Sequence, residues 1–166
     1  MNTSAEYYNG LGHRSKMAGQ IEEALAYYEQ AARIDPSNMD YIYNRGCCYR
    51  LTNKLDEAIN DYNVLINDNP SDAGALWERG ICYQKKSLYK RAIEDYTRAI
   101  NCRPDHAQYY IWRATSYCGI PEKANAISDF EQAIRLTPHN SQYKEMLNMV
   151  SSCSEDMLKM IPKMQD

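Results

Sequence analysis

A proline recurs every 34 residues through most of this 166-residue chain, at Pro36, Pro70, Pro104 and Pro138. The residues between these prolines repeat as well: a Gly or Ala is followed twelve residues later by Ala, and four residues after that by an aromatic residue. The repeated residues are Gly12, Gly46, Gly80 and Ala114, then Ala24, Ala58, Ala92 and Ala126, then Tyr28, Tyr62, Tyr96 and Phe130. A fixed period of this length is typical of a stacked helical array.

Each repeat is predicted to be a helix A, a short turn and a helix B, with positions 1 to 34 counted from Ala5, Met39, Ala73 and Ala107. Small residues at positions 8 and 20 let the two helices approach closely, and the aromatic residue at position 24 fills the space beside them. The predicted A helices span 5–17, 39–51, 73–85 and 107–118, and the predicted B helices span 21–34, 55–67, 89–101 and 123–136. Breaks between A and B are expected near Gly19, Asn53, Ser87 and Pro121, and helix N-caps near Asn38, Asp72, Asp105 and Asn140.

This pattern resembles the tetratricopeptide repeat family in its period, its small residues and its position-24 aromatic residues. The resemblance implies an all-α fold, a right-handed superhelix (α-solenoid) of antiparallel helix pairs whose A helices line a concave groove. Four repeats are expected over 5–138 (5–38, 39–72, 73–106 and 107–140), then a capping helix over 141–150, because the last B helix of a solenoid needs a cover. The tail, 151–166, begins with a polar break, and from Glu155 it has the pattern of a second short amphipathic helix.

Positions 7 and 23 change together along the chain. Repeat 1 has Leu11 and Tyr27, whereas the later repeats have Arg and Asp. The joint change predicts that the two positions touch within a repeat, as structural ion pairs. These pairs are Arg45 with Asp61, Arg79 with Asp95, and Arg113 with Asp129.

The resemblance also places a set of helix A residues on the groove. The candidate binding residues are Asn9, His13, Tyr43, Asn44, Arg50, Trp77, Glu78, Ile81, Ile111 and Trp112, and Gln84 and Thr115 are expected to face the same way. Tyr43, Trp77, Ile111 and Trp112 would form an apolar stripe. Large aromatic side chains outside a core concentrate where a partner covers them. The stripe therefore favours a groove that binds an extended peptide or an amphipathic helix.

One known use of such a groove is the family's carboxylate clamp, which holds the C-terminal tails of chaperones with Lys, Asn and Arg side chains. Of the positions that match the clamp, only Asn44 has the required residue, and the cations that grip a terminal carboxylate are missing. The sequence therefore argues against a chaperone tail as the partner.

Other functions find little support. The three histidines, His13, His106 and His139, are scattered, and the last two are expected to be exposed. No catalytic, metal-binding or cofactor-binding motif stands out. The six cysteines have no C-x-x-C spacing and are interpreted as buried reduced thiols.

Charge and hydropathy limit the class of partner and the location. A net charge of −3 argues against a nucleic-acid partner, and no apolar run is long enough to span a membrane. Cytoplasmic residence is the expectation.

The sequence thus predicts a non-catalytic scaffold or adaptor that binds proteins. Two alternatives remain open at this point. The chain could be a structural module that self-assembles through its apolar C-terminal segment, giving a homo-oligomer. It could also be a regulatory module of a larger enzyme or complex.

Overall fold

The structure is a computed structural model that describes residues 4–120, 122–154 and 158. Within these residues it contains helices and no strands. The helices are α1 (Ala5–Met17), α2 (Ile21–Ile34), α3 (Met39–Leu51), α4 (Leu55–Asp68), α5 (Ala73–Lys85), α6 (Tyr89–Cys102), α7 (Ala107–Gly119), α8 (Lys123–Leu136) and α9 (Ser141–Ser152). The predicted all-α solenoid of helix pairs is confirmed. None of these described helices is both long enough and apolar enough to cross a membrane.

The chain divides into two compact units, Met1–Pro70 and Ser71–Asp166. In unit 1, α1 packs on α2, α2 on α3, and α3 on α4. In unit 2, each helix from α5 to α8 likewise packs on the one that follows it, and α5 also touches α7. Each A helix is therefore paired with its own B helix and is also covered by the B helix of the preceding repeat when both belong to the same unit.

The small residue at position 8 is required by the aromatic ring at position 24. A Cβ atom added to Gly80 would lie 2.5 Å from Cε1 of Tyr96, and one added to Gly46 would lie 3.1 Å from the ring of Tyr62. Both tyrosines are fully buried. The residues that define the period in the sequence are thus the residues that pack helix A against helix B in each repeat.

The turn between helices A and B uses one residue with a left-handed backbone. Gly19, Asn53 and Ser87 have φ values of 76°, 59° and 58°. The residue after each of them donates its backbone N–H to a carbonyl five residues back, as Gln20 does to Ser15 at 2.9 Å. This is the Schellman pattern for ending a helix, and it explains the breaks that the sequence predicts in the first three repeats. The fourth predicted break, Pro121, lies outside the described residues.

The N-caps agree with the sequence except in repeat 4. Asn38, Asp72 and Asn140 accept backbone N–H bonds from the helices that they start. The prediction that Asp105 caps α7 is wrong, because the N-cap residue is His106 and its side chain accepts no such bond. His106 was also expected to be exposed, but it is half-buried because its ring stacks on Tyr109 at 4.2 Å.

Helix α9 covers the last B helix and is longer than the sequence predicts. Its Val150 is fully buried, and it packs on α8. Lys123 Nζ donates to the carbonyl oxygens of Ser151 and Cys153, both at 2.9 Å. This lysine neutralises the negative end of the α9 dipole. Leu158 is fully buried, and the rest of the predicted second helix lies outside the described residues.

Candidate functional site

The Arg and Asp residues at positions 7 and 23 form ion pairs in all three later repeats, as the sequence predicts. Each arginine donates from Nε and Nη2 to both carboxylate oxygens of its aspartate, with distances between 2.6 and 2.9 Å. The pairs are Arg45 with Asp61, Arg79 with Asp95, and Arg113 with Asp129. The hydrogen bond to Asp61 raises the pKa of Arg45 above its ordinary value. The aspartates are buried. These charges therefore join helix A to helix B within each repeat, and they are not available to a partner.

The aromatic face of unit 2 is formed by Trp77, Tyr109 and Trp112. The ring centroid of Trp77 lies 6.1 Å from that of Tyr109 and 6.4 Å from that of Trp112. Trp112 in turn lies 6.5 Å from the buried Tyr96. Both tryptophans are half-buried. The structure thus brings the two predicted tryptophans together around Tyr109, which the sequence did not single out. Tyr109 is only 3% exposed, so it supports the tryptophans and contributes little accessible area.

Trp77 also has an unused hydrogen-bond donor. Its indole Nε1 is buried and has no acceptor within the part of the chain that the structure describes. A buried N–H without an acceptor costs free energy in the folded chain. Because this nitrogen has almost no accessible surface, the aromatic face offers a ligand apolar area and not this donor.

Three other predicted groove residues of unit 2 expose little surface. Ile81, Ile111 and Glu78 are only 3%, 4% and 5% exposed. Ile81 is buried because it packs against Ala92 and Tyr96 of α6. The stripe expected from the sequence is therefore narrower, since Ile111 contributes packing and little accessible area.

The expected groove residues Gln84 and Thr115 belong to a buried polar cluster. Ser116 Oγ donates to Gln84 Oε1 at 2.7 Å, and Tyr96 Oη donates to the same oxygen at 3.4 Å. Gln84 Nε2 donates to Thr115 Oγ1, also at 3.4 Å. Gln84 is 5% exposed and the two hydroxyl residues are fully buried. The prediction that these side chains face a groove is wrong, because they bond to one another between α5, α6 and α7.

Unit 1 has a more polar inner face. Asn44 Nδ2 donates to Asn9 Oδ1 at 3.4 Å, so the two predicted asparagines are brought together from α1 and α3. The exposed His13 meets the ring of Tyr28 edge-on at 5.6 Å. Tyr43 meets Tyr62 in the same way at 6.2 Å, and is half-buried. Arg50, the remaining candidate of this unit, is half-buried.

In the residues that the structure covers, no cluster of three or more His, Cys, Asp or Glu side chains could hold a metal ion. A cavity of about 320 Å³ lies in unit 2 at the turn between α5 and α6. Its lining residues are Ser87, Leu88, Tyr89, Lys90, Arg91 and Ile120, none of which belongs to the predicted site.

The cysteines differ in accessibility, which corrects the expectation that all six are buried. Cys102 is exposed and Cys153 is half-buried, whereas Cys47, Cys48, Cys82 and Cys118 are buried. Burial raises the pKa of Cys48 to about 11 and that of Cys118 to about 12. The thiolate is the reactive form, so these two thiols are protected both by burial and by protonation.

We expect a thiol reagent such as DTNB to modify Cys102 of the folded chain quickly, Cys153 more slowly, and the other four cysteines only after unfolding. Time-resolved absorbance at pH 8 would show these phases, and Cys102→Ser should remove the first one alone. Rapid modification of four or more thiols in the folded protein would contradict the burial of the core cysteines.

Comparison with known proteins places the chain in a family. Models described as tetratricopeptide repeat match residues 5–38, 27–60 and 52–107, which together cover more than half of the chain. No curated protein sequence matches it.

Solved structures share the fold at low sequence identity. MamA 41-end from Desulfovibrio magneticus RS-1 is 20% identical with a TM-score of 0.85, over 100% of this chain and 99% of that one. YrrB, described as a TPR protein with an unusual peptide-binding site, is 19% identical with a TM-score of 0.80, over 88% and 75%. The APC/C hetero-tetramer Cut9–Hcn1 gives 17% identity and a TM-score of 0.79, over 89% and 30%. The family models and the helix pairs agree, and the chain belongs to the tetratricopeptide repeat family.

Proposed function

We propose that this chain is a protein-binding scaffold or adaptor that anchors its partner on the aromatic face of unit 2. Repeats of this family are typically non-catalytic interaction modules. The observation that carries the proposal is the contact of Trp77 with Tyr109 and Trp112 on adjacent A helices. Both tryptophans retain accessible surface although each also packs on its neighbours.

The chemistry of this face suits apolar side chains of a ligand. Tryptophan is over-represented among residues that dominate binding energy, because it buries a large area with few rotatable bonds. Apolar side chains of an extended peptide or of a partner helix would cover this area.

The inner face of unit 1 is proposed as a second, polar contact surface. Its residues are Asn9, His13, Tyr43, Asn44 and Arg50. The amides of Asn9 and Asn44 form a hydrogen bond of 3.4 Å. This bond is long, and shorter hydrogen bonds to a ligand could replace it. His13 is exposed and adds ring nitrogens, so this face favours polar ligand side chains.

The chain contains only two tryptophans, and both lie on the proposed face. Peptides selected against the full chain from a random 12-residue display library should therefore shift the intrinsic tryptophan emission when they bind. Trp77→Ala should weaken their affinity at least tenfold, as measured by calorimetry, because truncation of an anchoring aromatic residue costs about 2 kcal/mol or more.

Leu88→Ala is the matched control, because Leu88 is an exposed apolar residue that is not part of this face. It should leave the affinity unchanged. Peptides that bind equally well to the Trp77→Ala variant, or that lose affinity only with Leu88→Ala, would show that the aromatic face is not the binding site.

Cytoplasmic residence is part of the proposal. The six cysteines form no disulfide with one another, which suits a reducing compartment. Self-assembly through the C-terminal segment has less support, because Leu158, the one described residue of its apolar part, is fully buried.

A further inference from the structure

The turn between α5 and α6 carries a cluster of cations in a chain whose net charge is −3. Four exposed cationic side chains lie there within seven residues, and no acidic residue separates them. They are Lys85, Lys86, Lys90 and Arg91, which we name the basic turn. Positive charge concentrated at one place on an acidic chain attracts anionic ligands to that place.

The two cations that begin α6 stand where a helix favours carboxylates. In the first turns of α2 and α4, positions 18 and 19 are acidic, as Glu22, Glu23, Asp56 and Glu57. In α6 the same positions are Lys90 and Arg91, and its first turn has no acidic residue. Cations near the positive end of a helix dipole lower the stability of the helix. Residues that break a local rule of this kind are expected where a function needs them.

The cavity of about 320 Å³ lies beside the basic turn. Leu88, Tyr89 and Ile120 give it an apolar lining, and Lys90 and Arg91 line it as well. Its volume is at the lower end of the range for ligand pockets, about 300–1,000 Å³. The cavity therefore suits one large apolar side chain that has negative charge next to it.

Packing holds both the apolar wall and one of the cations in place. A Cβ atom added to Gly119 would lie 2.7 Å from the ring of Tyr89, so this ring rests on the backbone at the end of α7. The guanidinium of Arg91 lies over the ring of Tyr83, with its Cζ 5.7 Å from the ring centroid. A cation–π contact uses the face of the guanidinium, so the N–H donors at its edge remain for an anion.

We propose that the basic turn and this cavity bind an acidic segment of a partner protein in which carboxylates flank a large apolar side chain. The apolar side chain enters the cavity against Leu88 and Tyr89, and the carboxylates pair with Lys90 and Arg91. A short acidic segment is favoured over nucleic acid, because the cations are confined to one turn and the cavity beside them is apolar. The site is separate from the aromatic face, since Trp77 lies two helical turns before the end of α5.

A short synthetic peptide can serve as the probe. It is fluorescein-labelled Gly-Glu-Asp-Leu-Asp-Glu-Gly, and its fluorescence anisotropy is measured against the full chain. One control peptide has Ser in place of Leu, and the other has Lys in place of every Glu and Asp. Saturable binding of the probe is expected, at least tenfold tighter than that of the lysine peptide and at least threefold tighter than that of the serine peptide.

A double charge reversal locates the cations. Lys90→Glu with Arg91→Glu gives α6 the kind of residue that α2 and α4 have at these positions, so the fold should be kept. It should weaken the probe at least tenfold. Arg33→Glu with Lys144→Glu is the matched control, because it changes the net charge equally at exposed residues of α2 and α9. This control and Trp77→Ala should each change the affinity less than about threefold.

Leu88→Ala tests the cavity. It should weaken the probe at least threefold and leave the affinity of the serine peptide unchanged, because only the probe places an apolar side chain against Leu88. Peptides bound at the aromatic face should respond to Trp77→Ala instead, so the two proposals can fail separately.

Five results would overturn the proposal. They are the absence of saturable binding up to about 1 mM probe, equal affinities of the probe and the lysine peptide, equal losses in the two charge-reversal variants, tighter binding of a single-stranded DNA 15-mer than of the probe, and sedimentation of the unaltered chain as a dimer that Lys90→Glu with Arg91→Glu dissociates. The last two results would assign the basic turn to nucleic acid or to a second copy of this chain.

Discussion

Asp95→Ala is expected to destabilise the folded chain by about 3–5 kcal/mol, because it leaves the largely buried guanidinium of Arg79 without this carboxylate. The pair is the least accessible of the three, with side-chain exposures of 14% for Arg79 and 4% for Asp95, and its two bonds are 2.6 and 2.7 Å long. Urea unfolding followed by circular dichroism would measure the change in the free energy of unfolding.

The double substitution Arg79→Met with Asp95→Leu is the informative control. It removes both charges and keeps apolar volume, so it should recover most of the lost stability. Glu94→Ala, on the exposed side of the same helix, should change the free energy of unfolding by less than about 0.5 kcal/mol. If Asp95→Ala is no more harmful than Glu94→Ala, the ion pair does not stabilise the repeat.

Tyr96→Ala is expected to cost about 3–5 kcal/mol as well, for a different reason. The ring is fully buried against Gly80 and Ile81, so its removal leaves a cavity between α5 and α6. It also removes one of the hydroxyl groups that donate to Gln84 Oε1. Thermal and urea unfolding of the full chain would report the loss.

Two Tyr→Phe substitutions separate the ring from the hydroxyl group. Tyr96→Phe should cost about 1 kcal/mol, because the buried Gln84 loses a donor. Tyr28→Phe, at the same position of repeat 1, should cost nothing or stabilise slightly, since the buried Tyr28 Oη has no partner among the described residues. Equal losses for the two variants would show that the hydroxyl of Tyr28 is bonded in solution.

The sequence determined the helix pairs and the contacts that recur from one repeat to another. Gly80 beside Tyr96, and Arg79 beside Asp95, are contacts between positions of one repeat, and the repetition shows which positions belong together. A period of 34 residues provides several copies of the same contact, so a change at position 7 that is matched at position 23 becomes visible. The ends of the first three A helices followed in the same way, because the left-handed turn residue returns at the same position.

The tertiary structure alone decided which helix A side chains are accessible. Ile81, Ile111 and Glu78 lie at positions that the family's pattern assigns to the groove, yet they are almost fully buried. Their burial depends on how close the neighbouring helices lie, which changes with each side chain in the stack. The same cause hides Gln84 among the hydroxyls of Thr115 and Ser116. Periodicity assigns a residue to one side of its helix, whereas exposure depends on neighbours that only the folded chain brings together.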